Sequence, residues 1–182
     1  MRRLSIVPIM IVLATVSIAF SQERQSPVVQ QGEIKKLDFL IGSWKGQGWM
    51  MFGPNDRRTF NGTEVVQSKL DGTVLVVEGL HKTRMPGQDI ETVIHNALGV
   101  ISYDPTTKNY RFQHYQANGQ QGASDGSLTD GVFSWNLKHP TAAGIRFSIT
   151  INENGQWFEI GERSADNSNW YKFFEMTLDK VE

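Results

Sequence analysis

The chain has 182 residues, a formal net charge of −1 and no cysteine. This length suits one folded domain. The lack of cysteine excludes a disulfide framework and the lipid-bearing cysteine of a bacterial lipoprotein, so the domain must be stabilised by its hydrophobic core. No basic stripe interleaved with aromatic residues occurs, and we therefore expect no nucleic-acid partner.

The first residues have the pattern of an export signal. Arg2 and Arg3 precede an apolar run from Leu4 to Phe20, and small residues end the run. This order is typical of a secretory signal peptide. A membrane anchor is the alternative, because the run approaches the ~17 to 25 residues that span a bilayer. Pro8 and the polar segment that follows favour cleavage.

These observations predict a signal peptide over residues 1–21 and a secreted or periplasmic location, with no membrane span in the mature chain. The polar, turn-prone residues 22–32 are predicted to form a flexible tether. The folded domain is then expected over residues 33–182.

The domain opens with a short helical pattern and a glycine-rich strand. The apolar spacing of Ile34, Leu37 and Leu40 predicts a helix over residues 33–40 that caps the end of a sheet. Next comes Gly42-Ser43-Trp44-Lys45-Gly46-Gln47-Gly48. Alternate residues of a strand share one face, so Trp44 lies beside two bare glycine positions. We predict that Trp44 plugs one end of a small barrel and that the glycines let the strand curl.

Ten stretches, beginning with this one, show period-two alternation or enrichment in β-branched and aromatic residues, with turn residues between them. The strands are predicted at 43–51, 60–70, 73–83, 92–103, 109–116, 121–128, 132–138, 144–152, 156–164 and 169–179. Sequential strands joined by short turns favour an up-and-down meander, which loses its bare edges by closing into a barrel. The predicted fold class is all-β: a roughly ten-stranded, up-and-down antiparallel barrel with a short N-terminal capping helix. An open two-sheet sandwich is the alternative.

Several motifs make the chain resemble a known family. They are Gly42-Ser43-Trp44-x-Gly46-x-Gly48, the run from Leu98 to Pro105 with Tyr110-Arg111-Phe112, and a carboxyl end with Trp157-x-Glu159, Glu162, Trp170 and Glu175-Met176. Together they resemble the DUF1579 group of secreted bacterial proteins. That group belongs to the calycin superfamily, with the lipocalins, fatty-acid-binding proteins and nitrobindins. The resemblance covers residues 34 to 180 and implies a β-barrel around a central cavity, with no known catalytic residue.

Nitrobindins, which have a similar opening motif, bind haem through a histidine near the carboxyl end. The histidines here are His81, His95, His114 and His139, and none follows the seventh strand. The family's haem ligand therefore has no counterpart, and we expect neither haem nor another cofactor.

The apolar faces of the alternating strands are predicted to line the interior. This gives an aromatic wall of Phe112, Trp135, Phe147 and Phe174, with Trp44 at the closed end. A polar group that faces inward must be paired or wetted, so polar residues on these faces are the candidates for orienting a ligand. They are Glu78, Asn96, His114 and Glu162. A rim or solvent-side position is the alternative for each, because a slip of one residue turns a whole strand over.

No enzyme signature occurs: no Gly-x-Ser-x-Gly, no His-Glu-x-x-His and no phosphate-cradling loop. Glu159 and Glu162 lie three apart on a predicted strand, so they face opposite sides. The segment Asp166–Asn169 lacks the glycine and the closing glutamate of a calcium loop. We predict no catalytic residue and no metal site, and we expect a module that binds a small apolar or amphipathic molecule. The alternatives are a barrel enzyme using acid–base chemistry on such a molecule and an interaction protein with a filled barrel.

Overall fold

A computed structural model describes residues 27–139 and 142–181. The predicted signal peptide lies outside these residues. The described chain contains α1 (Val28–Lys35), a 3-10 turn (Asp38–Leu40), β1 (Gly42–Gly53), β2 (Asp56–Lys69), a second 3-10 turn (Leu70–Gly72), β3 (Val74–Arg84), β4 (Glu91–Asp104), β5 (Asn109–Gln116), β6 (Gln121–Thr129), β7 (Val132–His139), β8 (Ala142–Ile151), β9 (Trp157–Ser164) and β10 (Tyr171–Lys180). Within the described part of the chain, no helix has the length and apolar character needed to cross a membrane.

The ten strands form a closed antiparallel barrel, as predicted. Each strand pairs with its neighbours in the chain, and β1 pairs with β10 to complete the circle. The closing register runs from Trp44 opposite Lys180 to Met50 opposite Phe174. Closure leaves no bare edge strand. It excludes the open sandwich.

The N-terminal cap differs in detail from the predicted helix over residues 33–40. The helix is α1, which begins at Val28, so residues 28–32 belong to it rather than to a flexible tether. The apolar spacing did not reveal this earlier start, because the first turn of α1 is exposed and Val28 keeps 66% of its surface accessible. After α1 the chain turns into the short 3-10 segment.

The apolar residues of this cap nevertheless pack as predicted. Ile34, Leu37 and Leu40 are buried and belong to the hydrophobic core. The Tyr110 hydroxyl at the start of β5 donates a 3.0 Å hydrogen bond to the Glu33 carbonyl oxygen. This contact holds α1 across one end of the barrel.

Trp44 lies beneath this cap. Its side chain is only 3% exposed, and its indole Nε1–H donates a 2.8 Å hydrogen bond to the Leu40 carbonyl oxygen. The ring meets Trp157 of β9 edge-on, with centroids 5.8 Å apart. Trp44 therefore plugs the capped end, as the sequence predicted.

Glycines on the inner face make room for large side chains of adjacent strands. A Cβ at Gly48 would lie 2.3 Å from the Phe60 ring, and one at Gly161 would lie 2.7 Å from the Phe147 ring. Gly99, Gly122 and Gly126 are covered in the same way by Phe112, His114 and Phe133 respectively. Glycine positions on one strand thus accommodate the aromatic rings of an adjacent strand.

Candidate functional site

The barrel encloses a cavity of about 360 Å³. This volume lies within the ~300 to 1,000 Å³ that small-molecule sites occupy. The interior is therefore not filled by its own side chains. The lining is mainly apolar, with a few polar groups.

Aromatic rings from four strands form one wall of the cavity. The ring centroids of Phe112 and Trp135 lie 4.9 Å apart, and those of Trp135 and Phe147 lie 5.3 Å apart. Phe147 is followed by Phe174 at 5.8 Å. These are the four residues predicted for the aromatic wall, and all four line the cavity.

The row of rings continues around the barrel from Phe174. Phe60 of β2 lies 5.6 Å from Phe174, and His81 of β3 stacks on Phe60 at 4.7 Å. His95 of β4 then stacks on His81 at 4.8 Å. The seven rings form an aromatic belt around the interior, defined by Phe60, His81, His95, Phe112, Trp135, Phe147 and Phe174. A belt of this kind offers flat apolar surfaces to a ligand on several sides.

A buried carboxyl–imidazole pair lies within the cavity wall. His81 Nε2 and Glu64 Oε1 are 2.8 Å apart, and both residues are almost fully buried. Burial raises the pKa of the Glu64 carboxyl to about 8 and lowers the pKa of the His81 imidazole to about 4. Both shifts favour the uncharged pair, a protonated carboxyl group beside a neutral imidazole, over an ion pair at neutral pH. The carboxyl group packs over Gly79, where a Cβ would lie 2.8 Å from both oxygens.

Glu159 supplies a second buried carboxyl group. Its Oε2 accepts a 3.1 Å hydrogen bond from the Trp157 indole Nε1–H. Burial, with a further contribution from Glu64, raises the pKa of Glu159 to about 8. Glu64 is opposite Trp44 in the β1–β2 register, and Trp157 contacts Trp44. Both carboxyl groups therefore lie towards the capped end.

Two more histidines line the cavity. Burial and the neighbouring His81 and His114 lower the pKa of His95 to about 4. Burial also lowers the pKa of His114, which lies near the carboxyl end of β5, away from α1. The Nδ1 atoms of His81 and His114 are buried, without a hydrogen-bond partner among the described residues. These nitrogens are available to a ligand or a water molecule.

Three of the predicted polar residues lie on the outside of the barrel. Glu78 and Asn96 are exposed and line an open groove on the outer surface. Glu162 faces outward and accepts a 2.7 Å hydrogen bond from Arg146 Nε. The prediction that these three side chains face the interior is wrong, and the alternative of a solvent-side position is correct. Trp44 faces inward but does not line the cavity. It packs against Trp157, which does line it.

The errors at Glu78 and Glu162 follow from β3 and β9, whose orientation was predicted one residue out of phase. In β3 the inner face carries Leu75, Val77 and Gly79, while the outer face carries Val74 and Val76, so both faces look apolar. In β9 the inner face carries Trp157, Glu159 and Gly161, and Phe158 and Ile160 face outward. The polar cavity-lining residues missed for this reason are His81 on β3 and Glu159 on β9. Glu64 on β2 and His95 on β4 also line the cavity and were not among the predicted residues. The glycines were the usable signal, since Gly79 and Gly161 mark the inner face.

No group of three or more histidine, aspartate or glutamate side chains within residues 27–139 and 142–181 is arranged to hold a metal ion. The chemistry available in the cavity is hydrogen bonding and proton exchange. At neutral pH its two carboxyl groups are protonated and its three histidines are neutral, so a largely apolar interior carries several polar groups and little net charge.

The fold and the site together define a closed ten-stranded antiparallel β-barrel with an internal cavity. No protein-family model matches the sequence, and no curated protein matches it. Among solved structures, the chain is similar to Rv2717c from M. tuberculosis, with 13% sequence identity and a TM-score of 0.57. The match covers 82% of this chain and 97% of that protein. At this identity, the similarity shows the fold.

Proposed function

We propose that this protein is a secreted or periplasmic barrel that holds a small, largely apolar molecule with a polar end in its interior. One observation carries the proposal: the barrel keeps a cavity of about 360 Å³ that is lined by six of the seven rings of the aromatic belt. The buried carboxyl and imidazole groups supply the few polar contacts that such sites use to orient a ligand.

We also propose that the chain belongs to the DUF1579 group of the calycin superfamily. The support is the Gly42-Ser43-Trp44 opening together with a ten-stranded up-and-down barrel around a cavity. The proposal includes no resident cofactor. The three cavity histidines are on β3, β4 and β5, not on the carboxyl-terminal strands, where nitrobindins have their haem ligand.

The proposed export rests on the order of Arg2, Arg3, the apolar run and the small residues that end it. Amino-terminal sequencing of the exported protein is expected to begin at or near Gln22. A mature protein that still begins with Met1 would contradict the export proposal.

Binding in the cavity can be tested with an uncharged fluorescent probe such as N-phenylnaphthylamine. We expect one probe molecule per folded chain, with quenching of tryptophan emission because Trp135 and Trp157 line the cavity. Ala97→Phe should reduce the affinity at least ~10-fold, since Ala97 lines the cavity and a phenyl group would occupy the space of the probe.

Leu98→Phe is the matched control. Leu98 is the next residue of β4 but faces outward and is 37% exposed, so this change adds a phenyl group without entering the cavity. Leu137→Trp fills the cavity from β7 and provides a second blocking variant if Ala97→Phe folds poorly. Equal affinities for the blocked variants and the control would refute binding inside the barrel.

A further inference from the structure

We propose that the polar end of the ligand is a protonated amine, which Glu64 and Glu159 bind near the capped end of the cavity. This inference rests on the proposed function, because it names the class of molecule that the cavity holds. Glu64 is 5% exposed and Glu159 is 8% exposed. Among the described residues that line the cavity, none is lysine or arginine. Neither carboxyl group therefore meets a cationic side chain from the cavity lining.

His81 provides an independent indication of a ligand at this place. The side chain is 4% exposed and lines the cavity, and its Nε2 is 2.8 Å from Glu64. Its other ring nitrogen, Nδ1, is buried without a partner among the described residues. A buried polar atom without a partner is costly. When Glu64 is ionised, the His81 Nε2–H donates to its carboxylate and Nδ1 becomes an acceptor. An ammonium group beside the Glu64–His81 pair would then donate to Nδ1 and remove that cost.

The charge and the shape of the lining favour a cation over an anion. Carboxylate oxygens only accept hydrogen bonds, and an ammonium group has three donors. The faces of phenylalanine and tryptophan rings, which make up five of the seven rings of the aromatic belt, attract a cation. An anionic ligand would instead meet two carboxyl groups and no positive side chain in the lining.

Binding of an amine changes the protonation of the carboxyl groups. Burial raises the pKa of Glu64 and of Glu159 to about 8, so at pH 7 both carry a proton in the free protein. The ammonium group keeps its own proton when it enters. One carboxyl group then releases its proton to solvent and forms the ion pair.

The other titratable groups of the cavity lining are His81, His95 and His114. Burial lowers the pKa of each, so they are neutral at pH 7 and do not take up the released proton. Near pH 7, binding of one amine molecule therefore releases one proton to the solvent. The release should disappear above about pH 8, where the carboxyl groups are ionised before binding.

The inference is tested by calorimetry with three molecules that share one ring system: naphthylmethylamine, naphthylmethanol and naphthoate. Titrations in buffers of different ionisation enthalpy count the protons released. We expect release of about one proton with the amine at pH 7 and none with the alcohol. The amine affinity should rise up to tenfold per pH unit between about pH 6 and 8, while the alcohol affinity stays constant. At pH 8 the amine should bind at least ~10-fold tighter than the alcohol.

Variants assign the effect to the two carboxyl groups. Glu64→Gln and Glu159→Gln keep the side-chain shape but cannot ionise. In each, the advantage of the amine over the alcohol should fall at least ~5-fold, and in the double variant proton release should disappear. Glu162→Gln is the matched control, because Glu162 is on the same strand as Glu159 but faces outward.

The outcomes separate the inference from the proposed function. If the alcohol binds as tightly as the amine, or if naphthoate binds best, the amine inference fails and the binding function stands. If the amine binds with proton release that both glutamine variants retain, it binds elsewhere and the inference also fails. If none of the three molecules binds, and no uncharged probe binds either, both the amine inference and the proposed binding function fail.

Discussion

Trp44→Ala is expected to lower the free energy of unfolding by about 3 to 5 kcal/mol, the usual cost of removing a buried tryptophan side chain. The indole is 3% exposed, packs against Trp157 and donates a hydrogen bond to the Leu40 carbonyl oxygen. The substitution would therefore leave a cavity beneath the cap and an unpaired carbonyl oxygen. Chemical denaturation monitored by circular dichroism measures the change.

Two further variants separate the contributions at this position. Trp44→Phe keeps an aromatic ring but loses the Nε1–H donor, and we expect it to cost about 1 to 3 kcal/mol. Tyr171→Ala removes an aromatic ring that is 66% exposed and should change stability by less than about 0.5 kcal/mol. A Trp44→Ala protein that melts within a degree of the wild type would show that Trp44 does not support the barrel end.

The stability of the protein is expected to fall as the pH rises from about 6.5 to 8. The pKa of Glu64 and of Glu159 is about 8 in the folded protein, above the ordinary value of 4.5. Between these values the folded state holds protons that the unfolded state has lost. Each carboxyl group then lowers the free energy of unfolding by about 1.4 kcal/mol per pH unit. Over this range the two together give a loss of up to about 4 kcal/mol.

The cavity histidines act in the opposite direction at lower pH. The pKa of His81 and of His95 falls to about 4 from an ordinary value of 6.5, so the unfolded state binds more protons between these values. Their contribution therefore raises stability as the pH rises from about 4 to 6.5. Between about pH 4.5 and 6.5, the histidine contribution to stability rises with pH while the carboxyl contribution falls. The maximum of stability is therefore expected in this range.

Urea denaturation at a series of pH values tests this profile. The double variant Glu64→Gln, Glu159→Gln should lose the decline between about pH 6.5 and 8, and Glu162→Gln should keep it, because Glu162 is outside the barrel. A wild-type stability that stays constant or rises over this range would contradict the description of Glu64 and Glu159 as buried and protonated.

The fold could be predicted from the sequence because its signals are local. Turn residues such as Asn118-Gly119 and Asp130-Gly131 separate the strands, and the predicted strands match the structure to within a few residues at most ends. The faces of β5, β7, β8 and β10 were also predicted correctly, because one side of each is plainly apolar. In β8, for example, Phe147 and Ile149 alternate with Ser148.

The polar part of the site could not be predicted in the same way. Hydrophobic alternation identifies an inner face only where polar residues face water, and in this barrel the inner face itself carries Glu64, His81 and Glu159. In β9 the outer face, with Phe158 and Ile160, looks more apolar than the inner one. The pair of Glu64 and His81 also joins residues 17 positions apart, and only the β2–β3 register brings them together.

The inner glycines connect these two observations. Gly46 and Gly48 were recognised as vacancies beside Trp44, and the same reasoning applied to Gly79 and Gly161 orients β3 and β9 correctly. Gly48, Gly79 and Gly161 each leave room for a side chain of an adjacent strand, and Gly46 lets the backbone of β10 come close. In β3 and β9 of this barrel, the position of glycine is thus a better guide to the inner face than hydrophobicity alone.

The most direct test of a ligand-holding interior is a crystal structure of the protein with N-phenylnaphthylamine bound. We predict one molecule inside the aromatic belt, in contact with Trp135 and Phe147, while the ten strands keep their register. An interior filled by the protein's own side chains, or a probe bound only in the outer groove beside Glu78 and Leu98, would contradict the account.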